Sequence, residues 1–276
     1  MNRHYFTHTL IIRSKTIFYL VIGSFFFLFC SSPKNPDPEK IPQVTFESFV
    51  GKSLAVIPDG FSTLIATQLK ANPVTYRDGR LASENLHFKA VDGFLSDLTI
   101  LNYYHAHPNN EVFLIVEIPR SMYETMLYVI SSDSKQITNF NNFLKRVERN
   151  GFLDTLQSNW FGIFRDSESS DEIEYTGYAN GILRVAISAD TPPFSYIANN
   201  GLYIGYSIEL LEAYSANEQK KIEFQDLKMN DIKINVISKK VDLAIINQLA
   251  LPEESRERIL FSDPLYHSSL GIMYIP

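Results

Sequence analysis

Residues 165–181, RDSESSDEIEYTGYANG, are acidic and rich in serine and glycine, with no hydrophobic period. On either side of them, short apolar runs alternate with helical patterns. This interrupted alternation constrains the chain more than its composition does: it predicts two α/β units, with 165–181 as the linker. Before the linker, Gly51–Ile57 reads as a strand, Pro58-Asp59-Gly60 as a turn, and Leu64, Ile65 and Leu69 as a helical pattern. Val74–Tyr76 is a short strand, Leu81–Lys89 a helix, Ala90–Asp97 a buried strand, and Leu98–His105 a helix. Strands at Val112–Ile118 and Thr125–Ile130 follow. Asn139 then caps an amphipathic helix with Phe140, Phe143, Leu144 and Val147 on one face, ended by Gly151. A second short helix carries Leu153, Leu156 and Trp160, the last read as core. After the linker come a strand at Leu183–Ile187, a rigid turn at Thr191–Phe194, and a helix entered at Gly205. Ile222–Phe224 is a strand, Ile232–Ser238 a helix, and Val241–Ile246 and Gly271–Ile275 are strands.

With 45% hydrophobic and 13% aromatic residues, the 276-residue chain can fill one large or two small cores. A formal net charge of −6 and the lack of a basic stripe argue against a nucleic-acid partner. Cys30 is the single cysteine, so it forms neither an intrachain disulfide nor a cysteine-based metal site. His105 and His107 lack a third ligand and read as a solvated helix end. The sequence implies no metal and no cofactor.

Residues 1–30 combine basic Arg3, Arg13 and Lys15 with an uncharged run from Thr16 to Phe29 that ends at Cys30. That run is shorter than the ~20 residues of a spanning helix and fits an export signal. It resembles a bacterial lipoprotein signal peptide, in which the cysteine is lipidated and becomes the mature N-terminus; Phe29 departs from the small residue usual there. An uncleaved N-terminal anchor or an inert cysteine are the other readings. All three place the remainder on the periplasmic side of a bacterial membrane. Residues 31–46 hold four prolines among polar residues and read as an extended tether.

Several residues stand where α/β proteins place ligand groups. Asp97 ends a buried strand, the position at which open α/β sheets bind ligands, although capping the next helix is an equally ordinary use. Ser62 and Thr63 precede a helix whose N-terminus attracts anions, or serve simply as caps. In Asp242–Tyr266 an apolar strand opens into Asn247 and Gln248. A helix start at Pro252 and the basic pair Arg256 and Arg258 follow, an arrangement suited to a small anion or zwitterion.

LRVAISADTPPFSY (183–196), GLYIGYSIELLEAY (201–214), KKVDLAI (239–245) and LPEESRERILFSDPLY (251–266) together resemble the first lobe of the amino-acid-type periplasmic solute-binding proteins (type II, family 3). GKSLAVIPDG, KAVDGFLSDLTILNYY and NNFLKRVERNGFLDTLQSNWFG are similar to that family's second lobe and closing helices. The resemblance implies an α/β, two-lobed fold joined by a hinge, with lobe 2 preceding lobe 1. Residues 47–164 would form lobe 2 plus the C-terminal-type helices that pack on lobe 1, and 182–276 would form lobe 1. A circular permutation, with new ends at one crossover near Phe46 and Pro276, accounts for this order; two half-modules of a tandem array are the alternative.

The resemblance also implies a function. Such proteins hold a small polar ligand between closing lobes and deliver it to an ABC importer. For this chain the resemblance implies a monomer that is not an enzyme and needs no cofactor, although a few relatives are dehydratases or carry a fused cell-wall lyase domain. The alternatives are a ligand-sensing receptor module without a transport role and a non-binding or truncated relative. Carried over by position, Asp97 receives the ligand's amine. Ser188 stands where the family has an acid, Phe194 and Met229 border the aromatic walls, and Asn247 and Gln248 offer polar contacts. Ser62 and Thr63 lie near the carboxylate site. The family's carboxylate-binding arginine falls on Ser255, with Arg256 one residue late.

Overall fold

Strands whose successive residues are buried against opposite layers build the frame of the computed structural model, which describes residues 43–107, 110, 112–162, 179–250 and 258–276. The tether up to residue 42, most of the linker and residues 251–257 lie outside the described residues, and with them Cys30, Ser255 and Arg256.

The first lobe in the chain opens with β1 (Ser53–Val56), α1 (Ser62–Gln68) and β2 (Asn72–Thr75). It continues through α2 (Gly79–His87), β3 (Gly93–Asp97), α3 (Leu98–His105) and β4 (Leu114–Glu117). β2, β1 and β3 run parallel. Parallel strands are buried on both faces, and the two sets of side chains part accordingly. Leu54, Val56 and Leu95 pack with Phe61 and Ile65, while Ala55 and Phe94 pack with Leu86, Leu101 and Tyr104.

The chain crosses to the other lobe through β5 (Glu124–Ser131), followed by α4 (Ser134–Arg149) and α5 (Phe152–Gln157). Beyond the linker come β6 (Ile182–Ile187), β7 (Asp190–Thr191), β8 (Ser195–Ile197), β9 (Tyr203–Ile204) and α6 (Tyr206–Asn217). β10 (Lys221–Asp226), α7 (Met229–Ile237), β11 (Leu243–Leu249), β12 (Leu260–Phe261) and β13 (Tyr266–Tyr274) complete the fold. Here β10, β6 and β11 are parallel, and β5 joins β11 antiparallel. Ala186, Ala244 and Ile246 meet Ile232 and Val236 of α7 on one face. On the other, Val185, Leu243 and Ile245 meet the α4–α6 layer, where the rings of Phe140 and Phe143 lie 5.0 and 5.3 Å from that of Tyr214.

Both lobes share one plan: three parallel strands, an antiparallel crossing strand, then a short outer strand. β5 with β12 fills the last two places in one lobe, and β13 with β4 in the other. The plan extends to side chains. Lys89-Ala-Val-Asp92 and Lys239-Lys-Val-Asp242 end α2 and α7 with a lysine in the left-handed region, at φ 56° and 57°, and enter β3 and β11. Asp92 accepts from Ser53 N at 2.8 Å and Ser53 Oγ at 2.7 Å. Asp242 accepts from Arg184 N at 2.8 Å and from its guanidinium at 2.9 Å. Each aspartate thereby pins the entry of its strand to the lobe's first strand.

α4 and β13 are among the segments that differ from the sequence reading. α4 starts at Ser134, where the Asp133 carboxylate accepts from Lys135 N at 2.8 Å. Asn139 lies inside the helix because its first turn is polar and the apolar stripe begins later. β13 begins at Tyr266, five residues before the expected strand. Tyr266–Ser269 pair with β5 and Leu270–Tyr274 with β3 and β4. The polar opening His267-Ser-Ser269 lacks strand periodicity because it spans the crossing between lobes. Among the described residues, no helix is long and apolar enough to cross a membrane.

Candidate functional site

The ends of β1, β3, β6 and β11 face one another across the gap between the lobes, so the loops that follow them bring polar groups together from both halves of the chain. Asp97, with no exposed surface, is the most heavily bonded of these. Its carboxylate accepts from Thr99 N at 2.8 Å, Thr125 Oγ1 at 2.5 Å, Ser268 Oγ at 3.1 Å and Asn247 Nδ2 at 3.1 Å. Thr125 and Ser268 lie on the crossing strands and Asn247 on the opposite lobe. In this conformation Asp97 caps α3 and ties the lobes, and it meets the cleft through Asn247.

Asp59 holds the centre. It follows β1 in the turn Pro58-Asp59-Gly60, and its Oδ1 accepts from Phe61 N at 3.0 Å and Ser62 N at 2.8 Å. Ser62 Oγ donates to its other oxygen. The amides at the start of α1, where an incoming anion would bind, are thus occupied by the protein's own carboxylate. Burial pushes the Asp59 carboxyl up to about 6, with repulsion from Asp97 adding to the effect and the bonds from Ser62 and Phe61 opposing it. Among the described residues, no lysine, arginine or histidine pairs with Asp59 or Asp97.

The cleft is a chain of spaces around Asp59. On one side, a cavity of about 310 Å³ is lined by Asp59, Phe61, Met229, Lys233, Asn247 and Gln248. Its volume is at the lower end of the range for small-molecule pockets. It adjoins a constriction of about 20 Å³, bounded by Asp59, Ser188, Thr191, Phe194, Ser207 and Asn247. On the far side, a groove of about 630 Å³ runs between α2–α3 and β7–β8, past Asp78, Tyr103, Asp190 and Tyr196. Loss of hydration raises the Asp190 carboxyl, opposed by the Ser188 hydroxyl and reinforced by Asp226 and Asp78.

Most of the sequence-predicted residues meet here. Ser188 donates to Asp190 at 2.7 Å. Phe194 is buried beside Phe161 and Tyr266, with ring centroids 5.4 and 6.1 Å away. Met229, at the start of α7, touches both the constriction and the 310 Å³ cavity. Gln248 is buried and accepts from Lys233 Nζ at 3.4 Å. Ser62 is buried against Asp59, whereas Thr63 is exposed and lends only its carbonyl, to Thr67 Oγ1 at 2.9 Å. The histidines serve locally: His105 Nε2 lies 3.0 Å from Phe113 O, and His107 Nδ1 2.9 Å from Tyr103 O.

Sequence reasoning missed Asp59, which reads as an ordinary turn residue, and Ser207, which reads as a helix residue. The buried Ser207 hydroxyl has no hydrogen-bond partner among the described residues. A signal for Asp59 was present: it stands two places beyond the end of an apolar strand and three before a serine, the spacing of a side-chain cap.

The chain is similar to several known proteins. The arginine-binding extracellular protein ArtP of Bacillus subtilis (strain 168) is 32% identical over 84 residues, which are 30% of this chain and 32% of that protein. The chain therefore spans about a third of the length of the curated relative it matches. A phosphate-binding protein of a phosphate ABC transporter from Streptococcus pneumoniae TIGR4 aligns over 82% of this chain and 89% of its own, at 14% identity and a TM-score of 0.47. The GluR0 ligand-binding core from Nostoc punctiforme, in complex with L-glutamate, aligns over 81% and 85%, at 13% identity and a TM-score of 0.40. Residues 183–275, the lobe built on β6, β10 and β11, match the bacterial extracellular solute-binding proteins, family 3.

Proposed function

We propose that this protein is an extracytoplasmic solute-binding lipoprotein, which captures a small polar ligand between two lobes that close by hinge bending and presents it to an ABC permease. The observation that carries this reading is the convergence of Asp59, Ser188, Asn247 and Gln248 on adjoining cavities between the lobes. The family match of residues 183–275 supports it independently. In this reading the polar residues described in the cleft bind and orient the ligand. Ser62, Ser188, Met229, Asn247 and Gln248 are the proposed contacts, with Arg256 as a further candidate. Asp97 holds Asn247 in place in the closed form and becomes available to the ligand when the lobes part.

Lipidation of Cys30 and the tether at 31–46 would hold this folded body on the periplasmic side of the membrane. We infer a circular permutation for the lobe order, with lobe 2 plus the C-terminal-type helices that pack on lobe 1 at 47–164 placed before lobe 1 at 182–276. The ring of Phe49 lies 5.6 Å from that of Tyr274, so the entry to the first lobe lies beside the end of β13 within that same lobe, as that account expects.

A thermal-shift screen of amino acids, small amines and other polar metabolites tests the reading. At least one compound is expected to raise the melting temperature and to compact the protein in solution scattering. A screen in which no compound binds would refute ligand capture.

A further inference from the structure

Resting on the reading of the lobes as a closing pair, we infer that Tyr103 and Tyr196 form a latch that sets the strength of ligand capture without choosing the ligand. Tyr103 lies on α3 in the first lobe and Tyr196 on β8 in the other; their ring centroids are 5.7 Å apart and the rings tilted by 58°. Two π-systems attract at that separation and tilt. Each ring is backed by its own lobe. Tyr103 packs against Tyr104 and His107, with centroids 5.3 and 4.6 Å away, and its carbonyl lies 2.9 Å from His107 Nδ1. Tyr196 meets the Trp160 ring at 6.3 Å, and its strand is held between β7 and β9. The contact is therefore ready-made when the lobes meet, and little side-chain freedom remains to be lost.

Position separates this contact from the polar tie between Asp97 and Asn247. Asn247 lines both the 310 Å³ cavity and the constriction, so an incoming ligand competes for it. Tyr103 and Tyr196 instead line the 630 Å³ groove on the far side of Asp59. A contact across the lobes is broken when they part. Because this one is remote from the proposed ligand contacts, it adds the same free energy to every closed complex. It shifts the balance between open and closed forms, and every ligand that needs closure gains by the same factor. An aromatic pair moves such a balance about threefold to tenfold.

Solution scattering on the purified protein tests the latch in an Asn247→Ala background, where the polar tie is gone and a shift of that size becomes visible. Tyr103→Ala should raise the radius of gyration above that of Asn247→Ala alone, whereas Tyr103→Phe, which keeps the ring, should not. Tyr196→Ala, on the opposite lobe, should open the protein to the same extent, so the test does not hang on one variant. Combining the two alanines should open it no further, because the rings share one contact. Emission of Trp160, the single tryptophan, should stay unchanged in Tyr103→Ala; a shift there would place the effect in local packing and overturn the latch. For each compound that raises the melting temperature in the screen of amino acids and polar metabolites, Tyr103→Ala should speed dissociation by one common factor of about threefold to tenfold. The inference is also overturned if neither alanine variant opens the lobes, if Tyr103→Phe opens them as far as alanine, or if the factor differs from compound to compound. A screen without a hit sinks the ligand-capture reading, while the scattering still decides the latch.

Discussion

Asn247 donates through Nδ2 to Oδ2 of Asp97 at 3.1 Å, and the two residues occupy the same place in their respective lobes. Each stands at the end of the five-residue run that follows a strand-pinning aspartate, Asp92 in one lobe and Asp242 in the other. The lobes therefore meet through equivalent positions, one acidic and one amide, so that an acceptor faces a donor.

Replacing the amide by a second acid should break that match. In Asn247→Asp two carboxylates would face each other at hydrogen-bond distance, and one must take up a proton or the lobes must separate. At pH 8 the variant should show a larger radius of gyration than wild type and a lower urea midpoint, with both differences shrinking at pH 4.5, where a shared proton is available. Asn247→Ala should cost about 1 kcal/mol at either pH. Small-angle scattering and urea titrations check both; a variant as compact as wild type at pH 8 would contradict the lobe-tying role.

Asp59 gives a pH signature in stability. Its folded-state value of about 6 lies above the ordinary 3.8, so its contribution is fully present below the unfolded value and is lost as pH rises through about 6. Asp59→Asn removes this titration. The variant should melt with wild type below about pH 4 and become progressively more stable than it up to pH 7. A displacement of that size is worth about 3 kcal/mol at most. Chemical denaturation across pH 3.5–8 measures the gap, and a gap that stays constant with pH would rule out the buried charge as its source.

The two strand pins should be alike and independent. Asp92→Ala leaves Ser53 N and its hydroxyl without their acceptor, and Asp242→Ala removes the backbone and guanidinium contacts of Arg184. Both sites are partly exposed, so each loss should be about 1–2 kcal/mol. They lie in different lobes and share no partner, so the double variant should lose close to the sum. Urea melts of the three proteins decide it.

Gly205→Ala should be severe. Gly205 sits at φ 132° ahead of α6. A methyl group there would overlap the carbonyl of Phe194 and lie 2.9 Å from Pro193 O, groups that receive the amides of Ser207 and Tyr206 at 2.8 and 3.0 Å. The expected loss is more than about 3 kcal/mol, seen as a fall in melting temperature. It should disturb the Thr191–Phe194 wall of the cleft together with the helix that carries Ser207.

Local chemistry accounts for what could be read in advance. Apolar alternation in LAVI, RVAI and LAII marks buried strands whichever neighbours they acquire, and the stripe Phe140, Phe143, Leu144, Val147 marks a helix with one buried face. Asp97 and Asn247 were legible as ligand candidates because each stands where an apolar strand turns polar, and Ser188 through the family resemblance. Asp59 was not: a proline-aspartate-glycine turn looks the same whether its carboxylate faces solvent or closes an anion site. Ser207 was hidden in the same way, since nothing in Tyr-Ser-Ile-Glu says which side of the helix will border a cleft.

The sequence by itself determined most of the longer elements and the ends of strands at which function gathers, because propensity and periodicity act over a few residues. Only the tertiary structure decided that β13 would run through both sheets, that residues 150 positions apart would share a hydrogen bond between Asp97 and Asn247, and that Asp59 would fill the start of α1. Those outcomes depend on which strands pair and which charges are buried together, and pairing and burial are properties of the closed fold.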